Sequence, residues 1–167
     1  MFKSDFSLVK LCDFGGVRSV GDIVIKKNEL LPYCPAELVH KHANEYYQVD
    51  KVQDIFQFGI VIFFCLLGVL PWQKADRADP NFLEFCAWRD KRTSKVPKNF
   101  KNMTSRAQKM YKKLLDPEPS RRMSLSDVDK YLEDRWLRKG VSKLEDEQSQ
   151  LTLGSFQVGN TLQSIYI

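Results

Sequence analysis

The charged residues whose neighbours give them chemical interest are Asp13, Glu37, Asp54 and the pair Arg121-Arg122. Asp13 opens Asp13-Phe14-Gly15, directly after residues 6–12, where apolar and polar residues alternate well enough for a short strand. Taken alone, the tripeptide is a turn carboxylate ahead of a glycine. Glu37 follows Pro35-Ala36, and proline suits a first helical position, so a short helix is expected from Pro35. Asp54 stands ahead of an apolar run, where a helix dipole favours negative charge. Arg121 and Arg122 read equally as surface charges or as partners for a carboxylate. Metal chemistry is poorly supplied: Cys12, Cys34, Cys65 and Cys86 lack metal-ligand spacing, and His40 and His42 are the only histidines.

The element that must position these groups is the run from Asp54 to Trp72, in which only Gln57 is polar between Ile55 and Leu70. A helix apolar all round is expected to be buried on every side, with Cys65 as one more small hydrophobe inside it. A membrane span needs about 20 apolar residues. This run is shorter, bordered by Asp54 and Pro71 and interrupted by two glycines, so a core helix is expected and no membrane span.

Other helices are expected around it. Asp79-Pro80 supplies an N-cap and a first-turn proline for a helix with Phe82, Phe85, Cys86 and Trp88 on one side. Ser105 and Gln108 have capping-box spacing ahead of Ala107, Met110, Tyr111, Leu114 and Leu115. Ser124 and Asp127 repeat the signal before a last helix carrying Leu125, Val128, Tyr131, Leu132 and Trp136 and stopped by Gly140. Residues 16–34 show no sustained period and read as a long irregular stretch.

Length and composition fit one domain with a real core: 167 residues, 43% hydrophobic, 28% charged. Of the net +5, residues 141–167 carry −2, through Lys143 against Glu145, Asp146 and Glu147, which leaves +7 to residues 1–140. Residues 89–101 are basic, but only Phe100 interleaves them, so a solvated connector is expected rather than a nucleic-acid surface. Residues 140–167 are expected to form a disordered tail. Lys3, Asp5 and Lys10 interrupt any signal-peptide core, and a reduced, intracellular, cytoplasmic setting is expected.

In order, these pieces resemble the C-terminal, large lobe of a protein kinase. Asp13-Phe14-Gly15 matches the family's magnesium-binding motif. Pro32-Tyr33-Cys34-Pro35-Ala36-Glu37 resembles the segment ending in Ala-Pro-Glu, with two letters exchanged. Asp54 with Phe58-Gly59 looks like the start of the buried helix anchoring that lobe, and Gly68-Val69-Leu70-Pro71-Trp72 like its exit. Leu115-Asp116-Pro117 and Arg121-Arg122-Met123-Ser124 resemble the Asp-Pro-x-x-Arg-x-Ser/Thr region, with spacing shifted by two. The opening residues 9–15, the Pro-Tyr pair and Glu84–Trp88 are most similar to the Src-homology-3-binding group of serine/threonine kinases.

The resemblance implies a mainly α fold: a large-lobe fragment over residues 1–139, with a buried central helix and a short strand before the Asp-Phe-Gly motif. It implies transfer of the ATP γ-phosphoryl group to protein Ser/Thr by the complete enzyme, with Asp13 as ligand of Mg²⁺, its one match to the family's cofactor-binding residues. Phe14 is expected to pack into the core and set Asp13, while Gly15 frees the backbone. Pro35, Ala36 and Glu37 would close the activation segment, Glu37 pairing with Arg122 and Arg121 as rival. Asp54 would hold catalytic-loop amides. Protein substrates and Src-homology-3-domain proteins are the implied partners, and a monomer is expected.

Departures from the family pattern are equally visible. Only twelve residues precede Asp13, so the glycine-rich loop, strand lysine, its glutamate partner and the catalytic-loop Asp and Asn have no match, as in a truncated or partial sequence. Glu29 and Leu30 stand where the family has Gly-Thr, and Ser19 and Tyr33 are the only hydroxyls between Asp13 and Glu37. This chain alone is therefore expected to be inactive. The rival reading is a pseudokinase-like interaction module docking partners through Phe82–Trp88.

Overall fold

A computed structural model describes residues 10–27 and 32–139. Its longest element is helix α2, Lys51–Leu67. Asp50 caps it, its carboxylate accepting from Val52 N at 3.0 Å. Gly68 ends it in the left-handed region (φ 66), donating its N–H to Phe64 O at 2.8 Å, a conformation that suits glycine.

The helix is not buried all round. Ile55, Phe56, Gly59, Ile60 and Phe63 face the core, but Phe58 is 37% exposed, Phe64 50%, and Cys65 is exposed too. Helix α4 (Ser105–Leu114) and the 3-10 turn Pro119–Arg121 pack against α2, and Phe58, Phe64 and Cys65 are left exposed among the described residues. At the covered side the approach is close: a Cβ on Gly59 would lie 2.7 Å from Leu115 Cδ2.

An aromatic cluster fills the space between α2, α3 (Pro80–Arg89) and α4. Phe63 lies 4.9 Å from Phe100 and 5.5 Å from Tyr111, and Trp72 lies 4.8 Å from Phe82 and 5.1 Å from Phe85. These separations allow the tilted and edge-on geometries that aromatic pairs favour. Asp79 caps α3 as expected, accepting from Asn81 N at 2.9 Å.

Three boundaries differ from expectation. The cap of α4 is Thr104, not Ser105: its hydroxyl accepts from Ala107 N at 3.3 Å, while the Gln108 amide turns back to Phe100 O and Met103 O. Ser124 does cap, accepting from Asp127 N, but it opens a 3-10 turn and then a four-residue helix α5, Asp129–Leu132. Leu125 and Leu132 are exposed there, and only Val128 and Tyr131 are buried. The backbone leaves the helix early enough for Trp136 Nε1 to donate to Tyr131 O and for Leu137 to bridge Met103.

The third difference lies within 16–34. Ile23–Ile25 forms strand β1, antiparallel to β2, Tyr46–Gln48, with Val24 opposite Tyr47. The expected strand at residues 6–12 lies mostly outside the described residues, and residues 10–12 carry no regular structure. The expected tail from Gly140 lies outside them entirely. Between β1 and β2 sits α1, Ala36–Val39, for which Pro35 is the N-cap rather than the first helical residue.

Candidate functional site

Glu37 and Arg122, 85 residues apart in sequence, are brought together. Arg122 Nη1 donates to Glu37 Oε1 at 2.8 Å and Nη2 to Oε2, a bidentate fork. The remaining donors are also satisfied: Nη1 reaches Val52 O and Nε reaches Asp116 O, each at 2.8 Å. The Arg122 side chain is fully buried, and its guanidinium lies 4.8 Å from the Phe56 ring centroid. A buried charge is tolerable only when paired and fully hydrogen-bonded, and this one is. The rival Arg121 is exposed in its 3-10 turn.

The junction extends one step further. Asp116 also receives Arg89 on Oδ2, and its Oδ1 accepts from Glu118 N at 2.9 Å. Thus α1, α2, α3 and the turn after α4 meet through two arginines. Pro35 is fully buried and Ala36 nearly so, which fixes the α1 end of the junction.

The Asp13 turn is built differently. Asp13 is exposed, has φ 65, and makes no capping hydrogen bond to the 3-10 turn Phe14–Gly16 next to it. Phe14, expected in the core, is 65% exposed, because none of the described elements packs over it. The left-handed residue of the motif is Asp13, while Gly15 has room for a Cβ, whose nearest contact would be Asp13 Oδ1 at 3.5 Å. Asp54 lies exposed on the first turn of α2, without a hydrogen-bond partner among the described residues; desolvation raises its pKa. Ser19 is exposed, Tyr33 half-buried, and Glu29 and Leu30 lie outside the described residues.

Between the Asp13 turn and the junction lies a cavity of about 300 Å³, walled by Arg18, Val24, Cys34, Leu38, Tyr47 and Gln57. Burial raises the Cys34 thiol pKa, so that sulfur is held as a thiol rather than a nucleophilic thiolate. The described residues do not amount to a Mg²⁺–ATP site. Asp13 offers one solvent-exposed carboxylate, and no group of three or more His, Cys, Asp or Glu side chains among the described residues could hold a metal ion. On the Phe82–Trp88 stretch of the rival reading, Phe82, Phe85, Cys86 and Trp88 are buried in the aromatic cluster, while Leu83 is 46% exposed.

The ion-paired junction, the α1 segment and the central helix follow the order of kinase motifs, and the protein kinase domain family matches residues 1–137. The chain belongs to the protein kinase family. It is 36% identical over 144 residues to the serine/threonine-protein kinase meng-po of Drosophila melanogaster, covering 85% of this chain and 32% of that protein. To serine/threonine-protein kinase SBK1 it is 34% identical in Danio rerio, over 85% of this chain and 37% of the relative. The same kinase of Mus musculus is also 34% identical, over 79% and 32%. The chain thus spans about a third of the length of these relatives. No described helix is long and apolar enough to cross a membrane.

Sequence reasoning missed the β1–β2 pair and the Arg89–Asp116 link. Three consecutive β-branched residues, Ile23-Val24-Ile25, were the available signal for the strand. Nothing local marks Asp116 as the partner of Arg89, 27 residues away.

Proposed function

We propose that the chain is the large-lobe portion of a serine/threonine protein kinase, with residues 1–139 as its kinase-like part. The observation that carries the reading is the Glu37–Arg122 fork, which ties to the helix bundle the α1 segment whose Pro35 and Leu38 line the 300 Å³ cavity. In this reading the cavity receives part of the protein substrate, and α1, held by Arg122, is its rigid floor. Asp13 is the one residue of the chain assigned to the reacting end, where the complete enzyme transfers the ATP γ-phosphoryl group to a Ser or Thr hydroxyl.

Phosphoryl transfer depends on positioning and charge neutralisation by several groups at once. The described residues contribute one carboxylate, and the family's glycine-rich loop, strand lysine with its glutamate partner, and catalytic-loop Asp and Asn have no match in this sequence. This chain alone is therefore proposed to be inactive. The resemblance to the Src-homology-3-binding group makes Src-homology-3-domain proteins candidate partners.

A radiolabelled ATP assay tests both statements. The 167-residue chain is expected to transfer nothing, and a chimera that takes the preceding domain from the Danio rerio relative is expected to transfer phosphate to protein. Asp13→Asn in that chimera is expected to abolish the signal. Transfer by the chain alone would overturn its inactivity, and an unaffected Asp13→Asn chimera would remove Asp13 from the reaction.

A further inference from the structure

A second recess, of about 320 Å³, opens on the other side of the β1–α1 wall. Its lining includes Lys26, Lys27, Lys41 and Lys74 together with His40 and His42. Among the described residues, no Asp or Glu lines it, and no Phe, Tyr or Trp does. Among the described residues, the nearby carboxylates of Glu45 and Asp76 are committed. Glu45 Oε2 accepts from His42 N at 2.8 Å, and Asp76 takes Lys74 at 3.1 Å with His40 at 4.0 Å. Lys27 and Lys41 have no carboxylate partner among the described residues.

Lys26 makes the recess a built feature rather than a patch of surface lysines. It is 8% exposed, and its ammonium donates to Lys41 O at 2.5 Å and to Val39 O at 3.5 Å. Carbonyl oxygens satisfy donors but do not cancel a charge, so a desolvated positive charge stands in the wall. The backbone there is fixed as well: Lys26 N donates to Glu45 O at 2.9 Å, and Asn44 N donates to Lys26 O at 3.0 Å. The concave lining brings four lysines to one recess, so an incoming anion would enter a field of one sign.

We propose that this recess binds the phosphate group of a phosphorylated protein segment. A phosphate carries close to two charges and three strong acceptor oxygens, which suits several converging ammonium donors better than a single carboxylate does. A protein segment fits better than other polyanions for two reasons. The recess shares Lys26 and Lys27 with the neighbouring cavity, whose wall adds Val24, Pro35 and Leu38 for a side chain beside the phosphate. Among the described residues no aromatic side chain lines the recess itself, so the stacking platform that single-stranded nucleic acid uses is lacking beside the phosphate, Tyr33 and Tyr47 belonging to the neighbouring cavity. The site does not depend on phosphoryl transfer by this chain.

The test is fluorescence anisotropy of a short labelled peptide bearing one phosphoserine, read without ATP so that the kinase reading is not at stake. The 167-residue chain is expected to bind it, to ignore the unphosphorylated peptide, and to release it to inorganic phosphate and to salt. Lys27→Glu with Lys41→Glu should weaken binding at least about tenfold, the scale of one lost charge-assisted contact. Lys109→Glu with Lys113→Glu, on the exposed side of α4, makes the same change in net charge and should leave binding intact. Neutral Lys27→Ala with Lys41→Ala, checked by thermal melting, repeats the test without reversed charges. Equal binding of both peptides, or equal loss in both charge-reversed variants, would overturn the site. Binding only to phosphatidylserine vesicles would assign the recess to a lipid surface instead.

Discussion

The Glu37–Arg122 junction and the Asp13 turn are both parts of the kinase motif order, yet they are built in opposite ways. Arg122 is fully buried, with donors on Glu37, Val52 O and Asp116 O. Asp13 and Phe14 are exposed and make no side-chain cap to the turn they open. The partners of the junction all lie within residues 37–122, so the chain can satisfy them internally. The Asp13 turn has no such partners among the described residues. A motif is a finished site only where its complement is in the same structure, and the two regions should respond to mutation accordingly.

The largest expected effect is on the junction. Arg122→Ala strands the Glu37 carboxylate and the Val52 and Asp116 carbonyls, and should cost about 3–5 kcal/mol in denaturant unfolding. Arg121→Ala, one residue earlier and exposed, should stay within about 0.5 kcal/mol. Equal costs would mean that the buried fork is not what holds α1 to the bundle.

Next come the two sides of α2. Ile60 is 2% exposed in the core, and Ile60→Ala should cost about 2–5 kcal/mol. Ile62 and Leu66 are natural choices for the same experiment from sequence, but both are only partly buried. Leu66→Ala should therefore cost less than half as much. A Leu66→Ala cost equal to that of Ile60→Ala would show that Leu66, at the margin of the core, is fully covered in solution. Gly59→Ala sharpens the same contrast: its methyl would stand 2.7 Å from Leu115 Cδ2 and 3.3 Å from Leu114 Cβ. Overpacking of this kind should cost about 1–3 kcal/mol.

The difference between the regions also explains what could be read from sequence. The core helix, the Asp79 cap and the pairing of Glu37 with Arg122 were legible, the first two because their signals are local and the third through the resemblance. The exposure of Phe58, Phe64 and Cys65 was not, because an unbroken apolar run says which residues avoid water but not how many neighbours arrive to cover them. The shift of the α4 cap from Ser105 to Thr104 is a choice between adjacent hydroxyls that spacing cannot make. The basic recess was illegible for another reason. Lys26, Lys41 and Lys74 are scattered in sequence and converge only through the β1–β2 pair and the end of α1.

The smallest expected effect belongs to the Asp13 turn, and it is the one that separates an unfinished site from a misfolded one. Asp13 adopts φ 65, a left-handed conformation that aspartate and asparagine tolerate better than most residues. Asp13→Asn therefore keeps the backbone and removes only the charge. Because the carboxylate caps nothing, the change should move stability by less than about 0.5 kcal/mol. Phe14→Ala should be similarly mild in this chain, since a 65% exposed ring has little burial to lose. In the chimera with the preceding domain, Phe14→Ala should instead cost stability on the scale of a core aromatic, about 3–5 kcal/mol, if that domain supplies the missing cover. A large loss in the 167-residue chain would show that Phe14 is already packed. A negligible loss in the chimera would show that the turn stays open even with its complement present.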